Sequence, residues 1–141
     1  MYFACCVLMW QVRGSCNRPN RSDLLLDINL QNLPDAYLGG DWRVANRVLN
    51  QNDPTSPLAN ATRVLLEPGK IETQTDGPAT YQTGHWAVLR DELMNRPYLR
   101  IEMPNEDSRA LVTRFRRSEN GKHSQLNLYF ASGMEMQLER A

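Results

Sequence analysis

Gly40-Asp41-Trp42-Arg43-Val44 and Gly84-His85-Trp86-Ala87-Val88 share one pattern, Gly-x-Trp-x-Val, and each opens a run that alternates or nearly alternates apolar and polar residues. Glycine permits a tight chain entry. Period-two alternation places successive side chains on opposite faces of a strand. Both pentapeptides therefore read as a glycine turn leading into a strand that carries a large indole inward. The class that follows is all-β: a small antiparallel meander closed around an apolar interior.

The same alternation recurs on either side. Trp42, Val44 and Val48 share one parity against Arg43 and Arg47, and Val64 and Leu66 oppose Arg63 and Glu67. Further along, Leu99, Ile101 and Met103 oppose Tyr98, Arg100 and Glu102. Leu126, Leu128 and Phe130 oppose Gln125, Asn127 and Tyr129, and Met134, Met136 and Leu138 oppose Glu135, Gln137 and Glu139. Such runs are half-buried antiparallel strands, apolar inside and wet outside. The dipeptides Pro68-Gly69, Asp76-Gly77, Asn120-Gly121 and Ser132-Gly133 punctuate them as turns. About eight strands are expected: 41–49, 62–67, 70–75, 79–82, 85–90, 98–103, 108–117 and 124–130, with 134–140 as a possible ninth. The segment 79–82 is the one that could extend a neighbour. Leu24 to Leu33 reads equally as a strand or a short helix, and Pro34 to Leu38 as a single helical turn. The loop 50–60 holds two prolines and has the length of a lid or binding loop.

Here the residues reach a resemblance. A Gly-x-Trp motif on the first barrel strand, after a short helical turn and before a long first loop, resembles the lipocalin signature. The run Tyr81 to Ala141 resembles, more specifically, the small bacterial lipocalin-like domains that are often exported lipoproteins. The chain is shorter than a full lipocalin and offers no stretch for the additional helix, so the likeness is to a reduced relative. The resemblance implies a calycin-type barrel over 39–141. It also implies that Arg140, inward by parity, lies over Trp42 and plugs the closed end. The alternative for Arg140 is a frayed, solvated chain end. A small hydrophobic or amphipathic ligand would then meet barrel-lining residues, for which the candidates are Val44, Leu66, Ile71, Trp86, Leu99, Ile101, Val112, Leu126, Leu128 and Met136. An eight-stranded barrel is just wide enough either to hold one such ligand or to be filled by its own side chains. A filled barrel would make the protein a structural or interaction module instead.

The N-terminus carries a separate signal. Tyr2 to Trp10 is uncharged and apolar, too short to span a bilayer but suited to the core of a secretory signal. Arg13-Gly14-Ser15-Cys16 resembles the bacterial lipobox, in which the cysteine becomes lipidated; Arg13 departs from the usual aliphatic residue. The expected organisation is a signal-like segment over 1–16, a linker with a short helical or irregular piece over 17–38, and the barrel over 39–141. The expected location is the cell envelope, with a lipid on Cys16 as the sole membrane attachment. The alternative is a cytoplasmic protein with reduced cysteines.

Composition narrows the functions further. Sixteen basic and sixteen acidic side chains cancel, leaving no global field to gather nucleic acid. The three cysteines, Cys5, Cys6 and Cys16, all precede the domain, and two widely separated histidines match no common zinc spacing. No cofactor or metal is expected. No nucleophile elbow, metalloprotease helix or phosphate loop occurs, and His85 falls on the solvent parity beside Trp86, so a non-enzyme is expected. Arg114, Arg116 and Arg117, with Lys122 across the turn, form a basic hairpin end that is either solvated or a receiver of an anionic head group.

Overall fold

The computed structural model describes residues 24–49, 56–75 and 80–140. The apolar N-terminal run, the lipobox-like Cys16, most of the long loop and the Asp76-Gly77 turn lie outside those residues. A short strand β1 (Leu25–Asp27) and two 3-10 turns (Leu30–Asn32 and Asp35–Leu38) lead into β2 (Gly40–Val48). A single helical turn α1 (Pro57–Asn60) precedes β3 (Arg63–Glu67), β4 (Lys70–Thr75), β5 (Thr80–Arg90) and β6 (Pro97–Met103). The chain finishes with β7 (Glu106–Ser118), β8 (Ser124–Phe130) and β9 (Glu135–Arg140).

Strands β2 to β9 each pair antiparallel with the next in sequence, and β9 returns to pair with β2. That closes an eight-stranded up-and-down barrel and leaves no sheet edge among these strands. Strand β1 adds to the end of β7, opposite Arg116 to Ser118. The all-β meander read from the alternation is therefore the architecture, and the 3-10 turns and β1 fill the region that the sequence left between strand and helix.

Three local readings change. Residues 80–82 of the expected segment 79–82 are continuous with 85–90 in one strand running through Gly84, which is a mid-strand glycine and not a turn. A Cβ there would stand 2.1 Å from the Glu102 carbonyl oxygen, so Gly84 is required by the close approach of β6. On β2 the expected parity of Val48 fails. Gln137 faces Asn46 while Leu138 faces Val44, so Ala45 is an extra residue. This bulge turns Val48 outward and Arg47 inward. Finally, the stretch 25–38, read as linker and irregular chain, supplies Leu33 and Leu38 to the core.

One continuous apolar cluster fills the barrel from end to end. It includes Trp42, Val64, Leu66 and Ile71 from the first half and Val112, Phe115, Leu126, Leu128 and Leu138 from the second.

Candidate functional site

The lower end of the barrel, where β2 begins and β9 ends, is sealed. The Asp35–Leu38 turn crosses it, with Leu38 fully buried. Trp42, at 0% exposure, donates its indole N–H to the Leu38 carbonyl at 2.9 Å and meets Phe115 edge-on at 6.2 Å. The Arg140 guanidinium lies 4.3 Å over the Trp42 ring, a cation–π distance. It also donates to the carbonyls of Gly39 and Tyr37. Burial, with Arg117 nearby, holds the Arg140 pKa below its ordinary value. Gly40 makes the stack possible: its φ is +129°, and a Cβ there would stand 2.6 Å from Arg140 Nη1. Arg140 is thus packed between ring and carbonyls, not frayed.

Two further arginines hold this end. Arg90 donates to the carbonyls of Leu30, Leu33 and Asn95, tying the first 3-10 turn to the β5–β6 hairpin. Arg117 lies 4.2 Å over the Tyr37 ring, and Tyr37 meets Phe115 at 6.0 Å. Arg114 grips Asp27 through two bonds of 2.7 and 3.1 Å, with Arg116 at 3.6 Å. The hydrogen bonds from Arg114 hold the Asp27 carboxyl below its usual range. The arginines of the basic hairpin end therefore fasten β1 and the 3-10 turns to the barrel. Sequence reading missed this, because Asp27 and Tyr37 lie far from the cluster along the chain.

Between the ends, the lining candidates pack against one another. Ile71, Leu99, Ile101, Val112 and Leu126 keep 2% exposure or less, and Leu66, Leu128 and Met136 are buried as well. Val44 and Trp86 are half-buried against the same cluster. Trp86 reaches beyond the β3–β4 turn, where its indole N–H donates to the Glu67 carbonyl. It belongs to the sealed end rather than to a mid-barrel chamber.

The upper end is closed differently. Ser56 caps α1, its hydroxyl accepting from Ala59 N at 3.1 Å and donating to Glu106 at 2.7 Å. Leu58, Ala59 and Ala61 are buried beneath. Inward-turned Arg47 donates to the Ala61 carbonyl, and burial lowers its pKa. A depression of about 360 Å³ opens here, its floor formed by Leu58, Phe130 and Met134 with Ser56, Glu106 and Arg109 at its rim.

Among the described residues no cluster of histidine, cysteine and carboxylates could hold a metal ion, and no helix is long and apolar enough to cross a membrane. His85 is exposed, as its parity requires, with Nδ1 3.3 Å from the Gly69 carbonyl. No protein-family model, no curated protein and no solved structure matches the chain.

Proposed function

We propose that this protein is a lipocalin-like, calycin-type barrel that serves the bacterial cell envelope as a non-enzymatic interaction module, anchored through a lipid on Cys16 and working from its outer wall. The packed interior carries the reading. A chamber able to take a small hydrophobic molecule would leave its walls with accessible surface, and ligand pockets run roughly 300–1,000 Å³. Ile71, Leu99, Ile101, Val112 and Leu126 have almost none. The likeness to lipocalins is supported by the closed meander, the 3-10 turn before the first strand and the Arg140–Trp42 stack.

A fluorescent fatty-acid analogue is the direct probe. No enhancement on mixing, with tryptophan emission unmoved, is expected; stoichiometric uptake would overturn the filled-barrel reading. Palmitate labelling in a bacterial host tests the anchor, and label that persists in Cys16→Ala would remove it. One observation favours a second reading. The depression of about 360 Å³ at the upper end is apolar at its floor and polar at its rim, which suits a small amphipathic molecule. Uptake abolished by Phe130→Ala but not by Tyr81→Ala would place a ligand there.

A further inference from the structure

The outer wall carries a feature that neither the core nor the sealed end requires. Gln137 on β9 stands directly between Asn46 on β2 and Asn127 on β8. Beyond Asn127, on β7, comes Thr113, whose hydroxyl donates to the Asn127 carbonyl. Three neutral amides thus form one row across three neighbouring strands, and on β7 the row ends at Thr113 and Arg114, which together stand opposite Asn127. The adjacent row brings exposed Val48, Glu135 and Tyr129, the last 46% exposed. Together they line a groove of about 400 Å³.

The backbone is shaped around this row. Ala45 is the extra residue of the β2 bulge, and Thr113 is the extra residue where the β7–β8 register shifts. The two irregularities fall on the strands flanking β8 and β9, on either side of the Gln137–Asn127 pair. Bulges bend a strand and re-aim its side chains, and they recur beside functional sites. Two of them bracketing one amide pair give the outer wall a concavity that an unbroken barrel lacks.

The chemistry of the groove is selective. A primary amide both donates and accepts, so a row of amides matches a ligand with hydroxyls of either role. Among the described residues no side-chain hydrogen bond engages Gln137, Asn46 Oδ1 accepts from Arg47 N at 2.8 Å, and Asn127 Oδ1 is buried without a donor. An exposed tyrosine adds an apolar ring face with a polar tip. Arg114, at the end of the row, is neutralised by its ion pair with Asp27, and Arg47 is turned inward onto Ala61. Glu135 and the Asp27-paired Arg114 are the ionised groups among the outward side chains of the two rows. Closure of the barrel leaves no unpaired strand edge here for an extended peptide to join. We infer that this groove binds a neutral glycan strand, with pyranose faces against Tyr129 and hydroxyls on Gln137 and Asn46.

The inference rests on the reading of the barrel as a module that works from its outer wall, and its test is independent of whether the interior takes apolar probes. The full chain is run by affinity electrophoresis through gels containing hydroxyethylcellulose, glycol chitin or laminarin, and titrated calorimetrically with cellohexaose and chitohexaose. Retardation by at least one glycan is expected. Tyr129→Ala and Gln137→Ala should each weaken it about tenfold, as central contacts do, with an unchanged thermal midpoint because both side chains lie on the outer wall. Tyr81→Ala, exposed on β5 away from the groove, should bind like the parent. No retardation in any of the three gels, or retardation that survives both groove substitutions, overturns the assignment. Binding of reduced, carboxymethylated lactalbumin in place of the glycans overturns it in favour of a polypeptide partner. Apolar-probe uptake with glycan retention intact would defeat the filled interior while leaving the groove in place.

Discussion

The two ends of the barrel are closed by different means. At the lower end three arginines, Arg90, Arg117 and Arg140, bind backbone carbonyls and aromatic rings. At the upper end a single helical turn with a serine cap lies across the mouth, beside the depression at Phe130 and Met134. The lower seal joins the chain's first barrel strand to its last, so it exists only when the barrel has closed. The upper seal is built from the β2–β3 connection, with Arg47 on the Ala61 carbonyl, and reaches β7 through the Ser56–Glu106 bond. The difference teaches that a cation can act as packing material. A guanidinium over a ring satisfies carbonyls that a hydrophobic plug would leave bare, whereas the turn at the mouth covers the core with apolar side chains and is tied to β7 by one serine hydroxyl.

If that contrast is right, damage at the lower end should be global and damage at the upper end confined. Trp42→Ala removes a fully buried aromatic and should cost about 3–5 kcal/mol in urea unfolding, a large share of the roughly 5–15 kcal/mol of a typical domain. A loss below about 1 kcal/mol would mean that the plug is not part of the core. Leu58→Ala should cost about 2–3 kcal/mol, with faster hydrogen exchange limited to residues 56–61 and their contacts. Exchange that rises equally around Trp42 would erase the distinction between the ends.

Arg140→Ala strands the Gly39 and Tyr37 carbonyls and loses the stack, so about 1–3 kcal/mol is expected from thermal or urea unfolding. Arg140→Lys should recover only part of it, because an ammonium cannot cover a ring and fork to two carbonyls together. Full recovery would show that charge alone matters. The smallest effect is electrostatic. Hydrogen bonds from Arg114 hold Asp27 below its ordinary carboxyl pKa. Its contribution to docking β1 is therefore complete above about pH 4 and is lost as pH falls through the depressed value. Amide exchange at Ile28, which donates to the Phe115 carbonyl at 2.9 Å, should accelerate on acidification, and Asp27→Asn should show that faster rate already at neutral pH.

Legibility in the sequence followed the range of each interaction. Strand positions were plain because alternation is a property of neighbouring residues; Leu126 to Phe130 and Met134 to Leu138 announce their faces unaided. The parity of Arg47 and Val48 was not, because the Ala45 bulge is a mismatch between two strands and leaves no mark on either alone. Nor was the amide row. Asn46, Asn127 and Gln137 are unremarkable polar residues until the register sets them side by side. The arginines of the basic hairpin end read as a solvated or anion-receiving surface, since their partners Asp27 and Tyr37 lie far upstream.

By itself the sequence determined the class of the fold, the inward side chains of the strands without a bulge, and the turn glycines Gly69, Gly121 and Gly133, since period and backbone conformation are local quantities. Only the tertiary structure decided that the wall closes on itself and that Arg140 lies on Trp42. It alone filled the interior and put a groove on the outside. Each of these depends on how strands distant in sequence come into register, and register is fixed by the packing of the whole core rather than by any one segment of it.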